Sequence, residues 1–250
     1  MTTVVSIDLA TRRYADIGVA VLTQQGQALV VDFARPRDHS LAGEPNAQAF
    51  AEWTSALARE VKAQVITIDG PQAWKDPANG LLHSRVSERL LHTQTKTGSP
   101  GVAKPGTGLR FVTFSIEFFD HLTVLGWPRL MAAPVGPLAM KAAVEVFPTA
   151  AWRALGLAPL PAKSKAKAVD VALWLSRLQA LRPLVLNGAP THDELQALIG
   201  GLGGLALARG VETGYQLLGN PPFRRGDVWY EGYILNMKRN DSGLVTNNTN

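Results

Sequence analysis

The chain has 250 residues, 46% of them hydrophobic and 18% charged, which suits one large α/β domain or two small ones and excludes a disordered chain. It contains no cysteine, so disulfides, thiolate zinc sites and cysteine nucleophiles are excluded, and carboxylates and histidines are left as metal ligands. The formal net charge of +5 favours polyanions without by itself naming nucleic acid as a partner.

The first ten residues lack a basic n-region, and Asp8 interrupts their apolar run. No uncharged apolar stretch reaches the roughly 18–20 residues of a membrane span. A soluble, cytoplasmic protein with no membrane segment is the expectation. Val4–Ala10, Asp16–Thr23 and Ala28–Ala34 are rich in Val, Ile and Leu with short links between them, the pattern of an antiparallel meander. Pro45–Lys62 changes period: Phe50, Trp53, Leu57 and Val61 mark an amphipathic helix. Val65–Asp69 is the next strand, stopped by Gly70-Pro71.

Residues 74–125 read as a basic insert. Ser84–His92 is a short helix, Thr93–Gly108 a mobile loop rich in Gly, Pro, Thr and Ser, and Thr113–Leu125 a helix packed by aromatics. Ala143–Phe147 is a short strand closed by Pro148, followed by helices from Ala150–Leu155 and Val169–Leu181. Thr191–Val211 is the best-defined helix, its start set by a capping box of Thr191 and Glu194. Ala197, Gly201, Gly204 and Ala208 share one face of it, which allows very close approach to a sheet. Asp227–Ile234 is a last aromatic strand or extended segment, and residues 239–250 form a polar, flexible tail. The order predicts one α/β domain over residues 1–238, with a mixed five-stranded sheet, three strands antiparallel and then parallel ones, and helices on both faces. In open sheets of this type the site lies beyond the carboxyl ends of the strands.

Four acids stand at such places: Asp8, Asp69, Glu145 and Asp193. A carboxylate inside an apolar strand is costly unless paired or bound to a metal. Val-Val-Ser-Ile-Asp8 and Val-Ile-Thr-Ile-Asp69 repeat the arrangement, and adjacent parallel strands would bring the two together. A divalent cation, Mg²⁺ or Mn²⁺, would keep such neighbours ionised and serve phosphodiester hydrolysis. Taken singly, each acid has an ordinary alternative: a turn cap, an arginine partner, or a first-turn charge on a helix.

The sequence resembles the prokaryotic family of predicted nucleases with a ribonuclease H-like fold, domain-of-unknown-function family four-two-nine. The resemblance is carried by Ile7-Asp8-Leu9-Ala10, Ile68-Asp69-Gly70-Pro71, Arg85 and Arg89 with Glu88, Glu145-Val146-Phe147-Pro148-Thr149, Lys163-Ser164-Lys165, Asp193 to Leu198, and Glu231-Gly232-Tyr233-Ile234. It implies a ribonuclease H-like sheet and a metal-dependent nuclease with Asp8, Asp69 and Asp193 as metal ligands and Glu145 as a fourth ligand or an orienting group. The family's Asp-Ala on the last helix stands here as Gln196-Ala197, which puts a second carboxylate of that helix in doubt.

Arg85 and Arg89, one helical turn apart, suit a phosphate or the carboxylates of the site. Lys163 and Lys165 follow a Pro-rich bend where a lysine can meet a backbone phosphate, or simply face solvent. His192 adjoins Asp193 but has no metal-ligand spacing. Trp74 and Trp229 near strand ends offer stacking surfaces or core packing. Three other readings stay open: phosphoester hydrolysis on small nucleotides without polymer binding, a nucleic-acid- or partner-binding domain without turnover, and a nucleotide phosphotransferase of the actin/sugar-kinase kind. The last lacks a glycine turn after the first strand.

Overall fold

The structure, a computed structural model, describes residues 1–93, 96–103 and 108–239. In chain order it runs β1 (Thr2–Asp8), β2 (Gly18–Gln25), β3 (Ala28–Phe33), α1 (Ala47–Glu60), β4 (Val65–Asp69), α2 (Val86–Leu91), α3 (Leu109–Val124) and β5 (Ala142–Val146). The second half runs α4 (Pro148–Ala154), α5 (Ala168–Leu181), β6 (Leu184–Asn187), α6 (His192–Arg209), β7 (Tyr215–Leu218), β8 (Phe223–Arg225), β9 (Val228–Tyr230) and β10 (Ile234–Met237). Among the described residues, no helix is long and apolar enough to cross a membrane.

The main sheet has eight strands in the order β6-β3-β2-β1-β4-β5-β10-β7, and β8-β9 form a separate hairpin. The meander β1-β2-β3 is antiparallel, and β4 and β5 continue from β1 in parallel. These five central strands are those expected from the sequence; the expected total of five is corrected to eight. The additional strands β6 and β7 are four residues each, too short to show a period of two. The strand expected over Asp227–Ile234 is broken. Glu231 (φ 59°) and Gly232 (φ 117°) turn the chain between β9 and β10. Of the segment 74–125 read as an insert, α3 belongs to the core, with Phe118 and Phe119 fully buried. The expected tail from residue 240 onward, and residues 94, 95 and 104–107 of the expected Thr93–Gly108 loop, lie outside the described residues.

Helices cover both faces, and strand alternation decides which residue meets which layer. On one side α1 and α3 pack on Val5, Ile7, Ile66, Ile68 and Ala143. On the other, α6, flanked by α4 and α5, packs on Val4, Leu22, Val65 and Val144. Almost every residue of α6 is buried, so it is a central helix rather than an amphipathic cover. Glycine makes that possible. A Cβ at Gly201 would lie 2.7 Å from Leu22 Cδ1, and one at Gly204 would lie 2.7 Å from Thr67 Cγ2. The glycine-lined face therefore rests directly on β1, β2 and β4.

Beneath α6, β1 presents Val4, Ser6 and Asp8, and β4 presents Val65, Thr67 and Asp69 at the same levels. Both columns pass from apolar to hydroxyl to carboxylate toward the strand ends. The middle pair is satisfied internally, the Thr67 hydroxyl donating to Ser6 Oγ at 2.7 Å.

Candidate active site

Asp8 and Asp69 are direct neighbours on parallel strands and share a side-chain hydrogen bond. Part of each side chain still reaches open space, while protein surrounds the rest. Burial, then the charges of Asp69 and Asp193, push the Asp8 carboxyl well above the usual range; Lys163 opposes them weakly. Asp69 is pushed up to about 7, mainly by burial, with the charge of Glu145 adding and the hydrogen bond from Asp8 opposing. Two carboxylates this close do not both ionise without a cation or a shared proton.

The N-terminus of α6 closes the site from above. The Thr191 hydroxyl accepts the Glu194 N–H at 3.2 Å, and the Glu194 carboxylate accepts the Thr191 N–H at 2.7 Å. Glu194 also pairs with Arg35 at 2.7 Å, which anchors the helix start to the end of the meander. Asp193 is thereby free of capping duty and turns toward Asp8. Its position depends on Gly18, the partner of Asp8 across β1-β2, where any Cβ would overlap the Asp193 carbonyl. Nothing in the sequence marked Gly18 for this role except its place at the start of an apolar strand.

Asp193 is not unpartnered. Lys163 Nζ pairs with its Oδ2, and His192 Nδ1 lies 3.0 Å from its Oδ1. Lys163 also reaches Asp16 Oδ1 at 2.9 Å. Partial burial disfavours the Lys163 charge, but the two carboxylates outweigh that and raise its pKa. Arg13 and Lys163 together hold Asp16 down to about 2. Asp16 was not among the acids singled out in the sequence; the strand expected from Asp16 starts at Gly18, and Asp16 closes the short turn before it.

The result is a cleft of about 580 Å³ with Asp8 and Asp193 on its floor and Arg12, Arg13 and Lys163 on its rim. Asp69 lines a smaller cavity of about 130 Å³ that also touches Glu88 and Glu145, and Phe111 of α3 borders both spaces.

Of the other sequence candidates, Glu145 borders the small cavity of Asp69, and Arg85, Arg89 and Lys165 line neither space. Glu145 follows Ala143 on β5 and is level with Ile68, so alternation puts it on the α3 side, opposite to Asp69. It receives Arg85 in a two-pronged pair (2.7 and 2.6 Å) and the Gln72 N–H at 3.0 Å. Burial raises the Glu145 carboxyl, and Arg85 opposes that. Arg85 is 0% exposed and also binds Glu88, so it presents no free guanidinium to a substrate. Glu88 in turn accepts the Thr97 hydroxyl at 2.6 Å. Glu231, buried beside this network, accepts the Val86 and Asp76 N–H groups and the Asn79 amide. Arg89 and Lys165 are exposed and outside the cleft lining. Trp229 lies under the Arg129 guanidinium, 4.8 Å from its ring centre, which occupies one of its stacking faces. Gln196, standing where the resemblance expects a carboxylate, accepts the Trp152 indole N–H at 2.8 Å.

Among the described residues, no group of three or more His, Asp or Glu side chains is gathered as a ready metal site. The Asp8–Asp69 pair is nonetheless a fitting seat for a hard cation. Its donors are carboxylate oxygens, burial disfavours two bare charges, and Mg²⁺ is typically held by one or two carboxylates with water and phosphate completing its shell. Asp193 can join only by releasing Lys163.

No protein-family model and no curated protein matches the chain. Among solved structures, that of Thermus thermophilus RuvC overlaps it at a TM-score of 0.35 and 13% identity, covering 83% of this chain and 92% of that one. T. thermophilus RuvC in complex with Holliday junction substrate overlaps at a TM-score of 0.37 with the same identity and coverage. Overlap at these scores carries no inference about this chain.

Proposed function

We propose that the chain is a divalent-metal-dependent nuclease hydrolysing phosphodiester bonds in nucleic acid, and a member of the ribonuclease H-like family that its motifs resemble. The observation that carries the reading is the Asp8–Asp69 pair, level with each other at the ends of parallel strands, with Asp8 open to a cleft that has a cationic rim and Asp69 to the small cavity beside it. Asp8 and Asp69 hold Mg²⁺ or Mn²⁺, which supplies, when bound, a positive centre that polarises a phosphoryl oxygen. Lys163 meets the charge that develops on the phosphoryl group, its ammonium oriented by Asp16 and Asp193. Arg12 and Arg13 on the rim take neighbouring backbone phosphates. Glu145, occupied by Arg85, acts on Asp69 only through its charge. The engagement of both Asp193 oxygens favours a second reading, binding of nucleic acid without turnover.

Calorimetric titration of Mn²⁺ into wild type and Asp8→Asn, with cleavage assays on DNA, RNA and branched substrates, tests the proposal. Binding and cleavage in wild type, both lost in Asp8→Asn, support it. No metal binding by either protein overturns it. Salt-dependent binding of nucleic acid in that case leaves the second reading.

A further inference from the structure

Lys163 borders two cavities. One is the carboxylate cleft; the other is a groove of about 440 Å³ between the first half of α5 and the segment leading into α6. Aliphatic side chains make the groove: Ala168, Val171, Ala172 and Leu175 from α5, facing Ala189 and Pro190. Ala168, Ala172 and Ala189 are exposed, and Val171, Leu175 and Pro190 half-exposed. Among the described residues of its lining the charged side chains, His192 aside, are Lys163 and Lys167, with no acid. The groove is thus an apolar slot that ends in cations, next to the acids of the site.

From this we infer that the groove is a nucleotide subsite: a base and its sugar lie against the aliphatic walls while the attached phosphate meets Lys163 and Lys167. The inference rests on the proposed function only for the chemical class of the substrate. Size agrees, since small-molecule pockets span about 300–1,000 Å³. Charge agrees, since an apolar body with an anionic end matches a lining of seven aliphatic residues and two lysines. Apolar walls hold an unstacked base well, because every base has a flat face to bury.

The lining also sets the selectivity. Thr191 Oγ1 already accepts the Glu194 N–H, and His192 is engaged through Nδ1 with Asp193 and through Nε2 with the Pro161 carbonyl. Among the described lining residues His192 is thus committed, and besides the lysines only the Thr191 hydroxyl keeps a hydrogen to donate, too little to read one base from another. The subsite should accept any base, with stacking area favouring purines.

The test is equilibrium binding in EDTA, so that it does not depend on metal or cleavage. Probes are adenosine 5′-monophosphate, inorganic phosphate and a short single-stranded oligonucleotide, with wild type and Ala172→Trp, an exposed position where the indole fills the groove. The expected result is that the nucleotide or the oligonucleotide binds at least about tenfold more tightly than phosphate, and that Ala172→Trp removes this advantage with the melting temperature unchanged. Loss confined to the oligonucleotide assigns the groove to a nucleotide within a strand; loss for the monophosphate assigns it to free nucleotides too. Equal binding of phosphate and nucleotide overturns the inference. So does Ala172→Trp binding as wild type does, or a wild-type self-association that Ala172→Trp abolishes, which would give the groove to a second copy. Nucleotide binding without any cleavage leaves the inference standing and counts only against the nuclease.

Discussion

Two acid-rich regions lie within one end of the sheet and have opposite designs. Around Arg85 the charges are saturated: Glu88 and Glu145 share its guanidinium, Glu231 binds backbone N–H groups, and all four residues are buried. Around Asp8 and Asp69 Lys163 is held by Asp16 and Asp193, and among the described residues no cation pairs with the central two carboxyls directly. The first region holds the chain together, tying α2 and the segment before it to β5 and to the turn ahead of β10. The second keeps an unmet demand for positive charge in an open cleft. Acids at strand ends are thus not one class; what distinguishes them is whether the fold supplies a counter-charge.

The largest effect expected from breaking this comparison is in the saturated region. Arg85→Ala leaves Glu88 and Glu145 buried without their cation and should cost about 3–5 kcal/mol by denaturant unfolding. Stability close to wild type would mean that the network is not a structural anchor.

A smaller effect, of defined sign, belongs to the unsaturated pair. Asp69 has a pKa of about 7 in the fold against an ordinary carboxylate near 4, so the folded state holds the extra proton. The stability it contributes is complete below the ordinary value and is lost as pH rises through about 7. Metal-free wild type should therefore lose on the order of 2 kcal/mol between pH 5 and pH 8. Asp69→Asn should reduce this slope, the raised Asp8 carboxyl supplying the remainder, and Mn²⁺ should reverse it in wild type only. Thermal melts at several pH values with and without Mn²⁺ read all three, and an unchanged slope in Asp69→Asn would locate the pH dependence elsewhere.

The smallest effect on stability is at the border between cleft and groove. Lys163 is 50% exposed, so Lys163→Ala should cost no more than about 1 kcal/mol. It frees Asp193, so Mn²⁺ should bind several-fold more tightly while cleavage slows. Weaker Mn²⁺ binding would show that Lys163 supports the cation rather than competing with it.

Much of this was legible in the chain itself. The meander, the crossover helix and the repeat of Val-x-x-Ile-Asp pointed to Asp8 beside Asp69, because each acid ends an apolar strand and a helix crossover makes two such strands parallel. The capping box set the start of α6, and its glycines announced a close approach to the sheet. Lys163 was legible as a candidate, though its two carboxylate partners were not. Arg85 and Glu145 were misleading: their motifs looked like site chemistry, yet they form an internal ion pair between residues 60 positions apart.

What only the tertiary structure decided concerns side and distance. A period of two states that neighbouring residues point apart, but the register that set Glu145 level with Ile68, and so on the α3 side, depends on how β5 docks against β4. Gly18 matters only because α6 crosses it, and Asp16 only because Lys163 arrives from 147 residues away. Local pattern determined which carboxylates stand at strand ends. Long-range packing determined which of them received a counter-charge, since that depends on residues that nothing in the neighbouring sequence can specify.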